Sequence, residues 1–287
     1  MDHVTLLEVA PRDGLQNEAK SLAPSIRAEL VTRAVSAGAR RVEAVSFVHP
    51  GRVPQMAGAA EVMAALPRDP QVRYAALVLN RRGLQEALSS GVDEVNVVVP
   101  CTDSMSLRNQ GRPVTDMIES ARVMIREARD AGVFVTLTVA VAFGCPFEGE
   151  VDPETVRAVL TGTLDAGVDE IALADTIGVG VPRQVEQLVR LALQESPDTP
   201  LRFHFHNTRN TGYANALAAV NEGVATLDSS IGGFGGCPFA PAATGNVATE
   251  DLVYLLERIP VGGFTNSADW EALMPWAEGL PDNLRAK

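Results

Sequence analysis

Only three cysteines, Cys101, Cys145 and Cys237, occur in 287 residues, and no two form a CxxC pair. An odd number at such spacings argues against a disulfide framework and fits a reducing cytoplasm. Basic residues are also in short supply. Lys and Arg number 24 against 36 Asp and Glu, a formal net charge of −12. This argues against nucleic acid and anionic membrane as partners, because phosphate-rich surfaces demand clustered cations. A locally basic pocket for a small anion remains compatible with an acidic exterior. No apolar run approaches the roughly 20 residues that a membrane helix needs. The opening Met-Asp-His-Val-Thr has no basic region leading into an apolar stretch, so no signal peptide is expected. A soluble cytoplasmic protein is the expectation.

Hydrophobic residues make up 46% and charged residues 21%, enough to build a sizeable core. One local pattern recurs: a small or polar residue, a glycine, then a short β-prone run. It appears at Ala37-Gly38 before Arg41–Phe47, at Ser90-Gly91 before Glu94–Val99, and at Ala131-Gly132 before Val133–Val141. Ala166-Gly167 before Glu170–Ala174 and Glu222-Gly223 before Ala225–Ser230 repeat it. A glycine in the left-handed conformation closes a helix and turns the chain into a buried strand. Helical stretches precede several of these glycines: Ser25–Ala37, Asp116–Asp130, Pro153–Asp165 and Pro182–Gln194. Pro153 and Pro182 occupy positions that a first helical turn tolerates. Further strands at Val4–Val9, Val72–Leu79 and Leu201–His206 bring the number to eight. Eight strands alternating with helices predict a (β/α)₈ TIM barrel, an α/β fold with a parallel sheet. A doubly wound open sheet is the rival, weakened by the absence of a glycine-rich nucleotide fingerprint after the first strand. The chain is expected to form one domain over residues 1–287, with a core at 4–258 and a C-terminal extension at 259–287. The extension, with Trp270 and Trp276, is weakly patterned and expected to pack on the barrel or on a neighbouring subunit.

Barrel enzymes gather their chemistry at the C-terminal ends of the strands. The seventh strand reads Leu-Arg-Phe-His-Phe-His. Alternation sends Leu201, Phe203 and Phe205 toward the helices and Arg202, His204 and His206 into the interior. Two imidazoles on one side of a strand suit a metal ion; a hydrogen-bonded pair of core histidines is the plainer reading. The chain holds only four histidines, and two of them meet here. His3 and His49 have no evident partners and read as structural. After the first strand, Arg12 and Asp13 precede Gly14. Asp13 offers a carboxylate to the same metal and Arg12 a donor for negative charge developing on substrate. Taken alone, Asp13-Gly14 reads as an ordinary turn. After the eighth strand, Gly232, Gly233, Gly235 and Gly236 lead to Cys237, an acid, a base or a free surface thiol. Asn246 reads as a helix N-cap or as an amide oxygen for the metal. Glu43, Ser46 and Asp175 are placed facing or rimming the cavity, Glu8 in an ion pair, and Cys101 and Cys145 as buried small residues.

Six segments in order resemble the hydroxymethylglutaryl-CoA lyases, a family of TIM-barrel metallolyases. They are Glu8-Val-Ala-Pro-Arg-Asp-Gly-Leu-Gln-Asn-Glu18, Ser46-Phe-Val, Val53-Pro-Gln-Met56, Gly144-Cys-Pro-Phe-Glu-Gly149, Ala174-Asp-Thr-Ile-Gly-Val-Gly180, and Gly235-Gly-Cys-Pro-Phe with Gly245–Tyr254. The matches span about residues 4 to 257. The resemblance implies metal ligands Asp13, His204, His206 and Asn246, a catalytic Arg12 and Cys237, and supporting Glu43 and Asp175. It also implies substrate contacts from Arg12, Gln16 and Ser46, and a divalent ion, Mg²⁺ or Mn²⁺ before Zn²⁺ or Co²⁺. The partner it implies is an acyl-CoA substrate, within a homo-oligomer of two or more chains. The implied reaction is cleavage of 3-hydroxy-3-methylglutaryl-CoA to acetyl-CoA and acetoacetate. A citramalyl-CoA lyase, or a Claisen-type acyltransferase like the isopropylmalate and citramalate synthases, stands as the alternative. In place of the family's His-x-His-Asp-Thr-Tyr this chain has His204-Phe-His-Asn-Thr-Arg209. That change is expected to alter charge beside the metal and with it the acyl group accepted. Pro100–Pro113 also departs from the family.

Overall fold

The computed structural model describes residues 3–236, 245–263 and 266–284. Eight parallel strands close into a barrel: β1 (Thr5–Glu8), β2 (Arg41–Ser46), β3 (Arg73–Val78), β4 (Glu94–Pro100), β5 (Phe134–Ala140), β6 (Glu170–Asp175), β7 (Leu201–Phe205) and β8 (Thr226–Ser229). Each strand pairs with its neighbour in sequence, and β1 closes the ring by pairing with both β8 and β2. The TIM-barrel expectation holds; six strands lie inside the predicted ranges, and β4 and β6 each run one residue past theirs, to Pro100 and Asp175.

Outside the ring run α1 (Pro24–Ser36), α2 (Ala59–Ala65), α3 (Arg81–Ser89), α4 (Asp103–Gln110), α5 (Val114–Asp130), α6 (Pro153–Thr163), α7 (Pro182–Glu195), α8 (Gly212–Asn221), α9 (Thr249–Leu256), α10 (Ser267–Glu271) and α11 (Met274–Leu284). The glycines that announced the strands, from Gly38 to Gly223, all have positive φ, the conformation that turns each chain segment out of its helix and into the sheet. Outward-facing Val42, Val95, Val97, Leu137, Val139, Ile171, Leu173 and Phe203 pack fully buried under the helices. Phe203 and Phe205 stack with ring centroids 5.4 Å apart, and Phe143 meets both edge-on. The extension packs on the barrel: Trp270, Leu273, Ala277 and Leu280 are buried, and the Arg33 guanidinium lies 4.5 Å from the Trp276 ring centre. Those four residues recur at helical spacing, a stripe masked in the sequence by Pro275, Gly279 and Pro281.

The barrel lumen is polar from its floor upward. At the floor, Arg41 makes two-pronged contacts to both Glu94 and Glu170, with distances of 2.6 to 2.8 Å. Thr136 and Thr226 hydroxyls donate to the same carboxylates. Above them lie Glu43, Asn96, Thr138, Arg202 and Asp228, and at the C-terminal mouth Arg12, Asp13, His204 and His206. The period-two positions of β2, β4, β5, β6, β7 and β8 supply these layers, and the turn after β1 adds Arg12 and Asp13.

Candidate active site

The chain leaves β1 through one wide helical turn, Ala10–Gly14, of the π type found at functional sites. The N–H groups of Arg12, Asp13 and Gly14 all point at Val9 O, at 3.1, 2.8 and 3.2 Å. This turn carries Arg12 and Asp13 over the barrel mouth. Arg12 Nε donates to Glu43 Oε2 (2.5 Å) and Nη1 to Asp13 Oδ1 (2.7 Å). Glu43 Oε1 accepts from Asn96 Nδ2 (2.9 Å), and Thr138 Oγ1 donates to Asn96 Oδ1 (2.5 Å). A buried chain of hydrogen bonds therefore fixes the arginine from below.

Asp13, His204 and His206 each bring a ligand atom to one place, all within 4.8 Å of one another. Asn246 joins them through the backbone. It pairs with His206 in an antiparallel bridge, with Asn207 N–H donating to Gly245 O and Val247 N–H to Phe205 O. Its Nδ2 donates to Asp13 Oδ2 and to Phe234 O, both at 2.8 Å. Asn246 stands before the Ala248 cap of α9, so the N-cap reading gives way to the site. Gly235, with φ of +108°, makes room for it; a Cβ there would meet Asn246 Nδ2 at 2.5 Å. Asn246 Oδ1 and His206 Nδ1 are buried without a hydrogen-bond partner. An unpaired ring nitrogen and amide oxygen beside a carboxylate and a second imidazole match the donor set that a divalent cation takes.

The electrostatics follow from burial and from these contacts. Burial pushes the Asp13 carboxyl up, but Arg12 and the two imidazoles outweigh it and hold the group well below the usual carboxylate range. Burial and the neighbouring His204 lower His206 to about 4. Burial disfavours charge on His204 too, yet Asp228 and Asp13 prevail and its pKa is raised. Burial likewise works against the Arg12 cation, and Glu43 with Asp13 more than offsets it.

Arg12, Asp13, His204 and His206 line a cavity of about 630 Å³, together with Gln16, Asn96, Thr138, Arg202 and Asp228. Leu77, Leu79, Val98 and Ala140 form an apolar wall, and Arg52 and Arg108 stand on the lining as well. Two expected contacts lie elsewhere. Asp175 falls out of phase with inward-facing Glu170, Ala172 and Ala174. Its carboxylate instead accepts from Val179 and Gly180 N–H (3.0 and 2.9 Å), bracing the loop after β6, and burial raises its pKa. Ser46 donates to Leu77 O on the adjacent strand (3.4 Å) and does not line the cavity. Neither Asn207 nor Arg209 lines it; Asn207 Oδ1 accepts from Gly212 N–H at the start of α8 (3.1 Å). Asn207 is thus turned toward the helix, and Arg209 is exposed. Glu8 has no ion pair among the described residues and is held by backbone amides and Thr249. Cys101 and Cys145 are buried as expected, and His49 Nδ1 accepts from Gly51 N–H. Cys237 lies outside the described residues. Asn96, Thr138 and Asp228 escaped the sequence reading. Their signal was a polar residue two positions from another polar one in an apolar strand: Glu94 and Asn96, Thr136 and Thr138, Thr226 and Asp228.

A family model described as HMGL-like matches residues 3–277. The chain is 43% identical over 295 residues to the (R)-citramalyl-CoA lyase of Chloroflexus aurantiacus, covering 99% of this chain and 92% of that protein. It is 42% identical over 273 residues to the hydroxymethylglutaryl-CoA lyase of Pseudomonas mevalonii, covering 95% and 90%. The Bacillus subtilis HMG-CoA lyase structure superposes with a TM-score of 0.94 at 34% identity, over 98% of this chain and 95% of that one. An Acinetobacter baumannii HMG-CoA lyase in complex with coenzyme A and 3-methylmalate gives 0.93 at 33% identity, over 98% and 92%. With its barrel, its mouth-side carboxylate and its paired histidines, the chain belongs to the HMGL-like family.

Proposed function

We propose that the protein is a metal-dependent carbon–carbon lyase that cleaves 3-hydroxy-3-methylglutaryl-CoA to acetyl-CoA and acetoacetate. The observation that carries this reading is the convergence of Asp13, His204 and His206 within 4.8 Å, beside Arg12 and the orphaned Asn246 Oδ1, on a cavity of about 630 Å³. Asp13, His204, His206 and Asn246 would hold the cation, Mg²⁺ or Mn²⁺ before Zn²⁺ or Co²⁺. When bound, such an ion supplies Lewis acidity to the hydroxyl and carboxylate oxygens of the substrate.

The chain's own residues do the rest. Asp13 stays deprotonated at neutral pH, and the hydroxyl proton passes to it, relayed by a water held against it, as the alcohol oxygen becomes the ketone oxygen. As the carbon–carbon bond breaks, its electron pair passes to the acetyl-CoA fragment and charge gathers on the thioester oxygen. Arg12, immobilised by Glu43 and Asp13, is preorganised to stabilise that enolate. Gln16 is a proposed substrate contact on the cavity lining. Cys237 is the proposed donor that returns a proton to the acetyl carbon.

The 43% identity to a citramalyl-CoA lyase over nearly the whole chain favours a second reading. Citramalyl-CoA carries its carboxylate directly on the hydroxyl-bearing carbon, one methylene closer than in hydroxymethylglutaryl-CoA, and yields pyruvate in place of acetoacetate. Incubating the Mg²⁺- or Mn²⁺-loaded protein with each thioester and measuring acetyl-CoA, acetoacetate and pyruvate separates the two. If neither thioester is cleaved, the lyase reading fails.

A further inference from the structure

The two histidines of the site are not equivalent. His206 Nδ1 is buried without a partner, whereas His204 Nδ1 lies 3.1 Å from Asp228 Oδ2. Asp228 sits on β8, 5% exposed, and its other oxygen, Oδ1, is 3.3 Å from Arg202 Nε. Arg202 in turn stands two residues before His204 on β7, pointing into the same lumen. Its Nη1 is 3.5 Å from Glu94 and 3.7 Å from Glu170, and its Nη2 donates to Thr138 Oγ1 at 3.3 Å. Asp228 is thus clasped between the ionic floor of the barrel and the ring of a candidate metal ligand.

We infer that Asp228 is the positioning residue for His204, locking its imidazole as the Nδ1–H tautomer so that Nε2 is the atom offered to the metal. The inference rests on the metal-site reading only for the use made of Nε2; the tautomer itself follows from Asp228. A carboxylate only accepts hydrogen bonds, so the ring nitrogen that faces it must carry the proton. Arg202 makes this arrangement intolerant of an amide. A guanidinium only donates. In Asp228→Asn the new side chain has one oxygen, and Arg202 Nε, buried beside it, claims that oxygen. The NH₂ group then faces His204 Nδ1, which must become an acceptor and move its proton to Nε2, where it blocks ligation. Carboxylate partners of metal-bound imidazoles act in this way, and losing one costs roughly 10- to 100-fold in metal affinity. The tautomer conflict places Asp228→Asn at the upper end of that range.

The test needs no turnover. Wild-type apoprotein labelled with ¹⁵N-histidine is observed by NMR at alkaline pH, with His204 assigned by its disappearance in His204→Gln. A protonated Nδ1 on His204 supports the inference; a protonated Nε2 overturns it, whether or not the protein binds metal. Mn²⁺ and Co²⁺ are then titrated into wild type and Asp228→Asn, with circular dichroism checking the fold of each. Affinity falling roughly 100-fold, together with the proton shifted to Nε2, is the expected result. A folded Asp228→Asn that binds both ions within about twofold of wild type overturns it. A merely structural Asp228 would lower thermal stability while leaving tautomer and affinity in place. Should Asp228→Asn fail to fold, the wild-type tautomer decides alone. If wild type binds neither ion, the metal reading falls, and the tautomer still answers for Asp228.

Discussion

Replacing Glu8 by Gln should free the protein from a pH-dependent loss of stability. Glu8 is 1% exposed at the end of β1, with Oε1 accepting from Ala10 and Ile231 N–H (2.8 and 3.1 Å) and Oε2 from the Thr249 hydroxyl (2.6 Å). No cation faces it among the described residues, and burial outweighs these hydrogen bonds, raising its pKa from 4.5 to about 7. The raised value means that the folded state binds the Glu8 proton more tightly than the unfolded state does. This contribution to stability is complete below the unfolded pKa and is lost as pH climbs through 7. At 1.36 kcal/mol per unit, the full loss is about 3 kcal/mol, most of which falls between pH 5 and pH 8. Gln imitates the protonated acid. Its amide donates to Thr249 Oγ1, whose own proton can turn to Ser229 Oγ, 2.9 Å away, while its carbonyl keeps the two backbone amides. Guanidinium denaturation of both proteins at several pH values gives the difference directly. Glu8→Gln should gain on wild type by about 2 to 3 kcal/mol from pH 5 to pH 8. A difference that stays flat across that interval would refute the reasoning, showing that the buried acid does not titrate there.

Two further substitutions separate the roles assigned at the barrel mouth. Arg12→Met should cut turnover about 100- to 1,000-fold, the usual effect of losing one donor to a developing oxyanion, while metal content measured by atomic emission stays near wild type. Loss of metal in that variant would make Arg12 a structural partner of Asp13 instead. Its thermal stability should also drop, because Glu43 keeps only Asn96 once its buried cation is gone. His206→Ala should lose metal without losing the barrel; normal metal binding by calorimetry would remove β7 from the site.

The legible parts of this molecule were those written in local pattern. Helix-closing glycines before β-prone runs located most of the strands, because a left-handed turn into a buried strand is a local event. His204 and His206 were visible because a period of two puts both on one face. Asp175 shows the limit of the same period: the last residue of β6 is one position out of phase with the lumen, and Thr176, in phase, is the residue on the cavity lining. Asp228 was invisible as a partner because nothing near it in sequence names His204; only the pairing of β7 with β8 makes them neighbours. Arg202 and Asn96 share that fate. Long-range charge pairing is a property of the closed ring, and a linear pattern does not encode which strand will stand opposite.

The distribution of charge in the lumen favours the proposed cation at the mouth over the floor. Asp13, Glu43, Glu94, Glu170 and Asp228 face inward with Arg12, Arg41 and Arg202, which leaves two more carboxylates than guanidinium groups in the barrel lumen. Burying unbalanced charge is costly, and one divalent ion is the smallest species that removes the excess. The floor has no place for it. Arg41 already spends four contacts on Glu94 and Glu170, and two threonine hydroxyls donate to what remains. At the mouth the accounting differs: Arg12 and the Asn246 amide engage Asp13, but Asn246 Oδ1 and His206 Nδ1 have nothing. Unspent acceptor capacity and uncompensated charge therefore meet at the same end of the barrel, where the loops open the cavity to substrate. The polar lumen inside the apolar layer of strands and helices is what would concentrate a cation's attraction there.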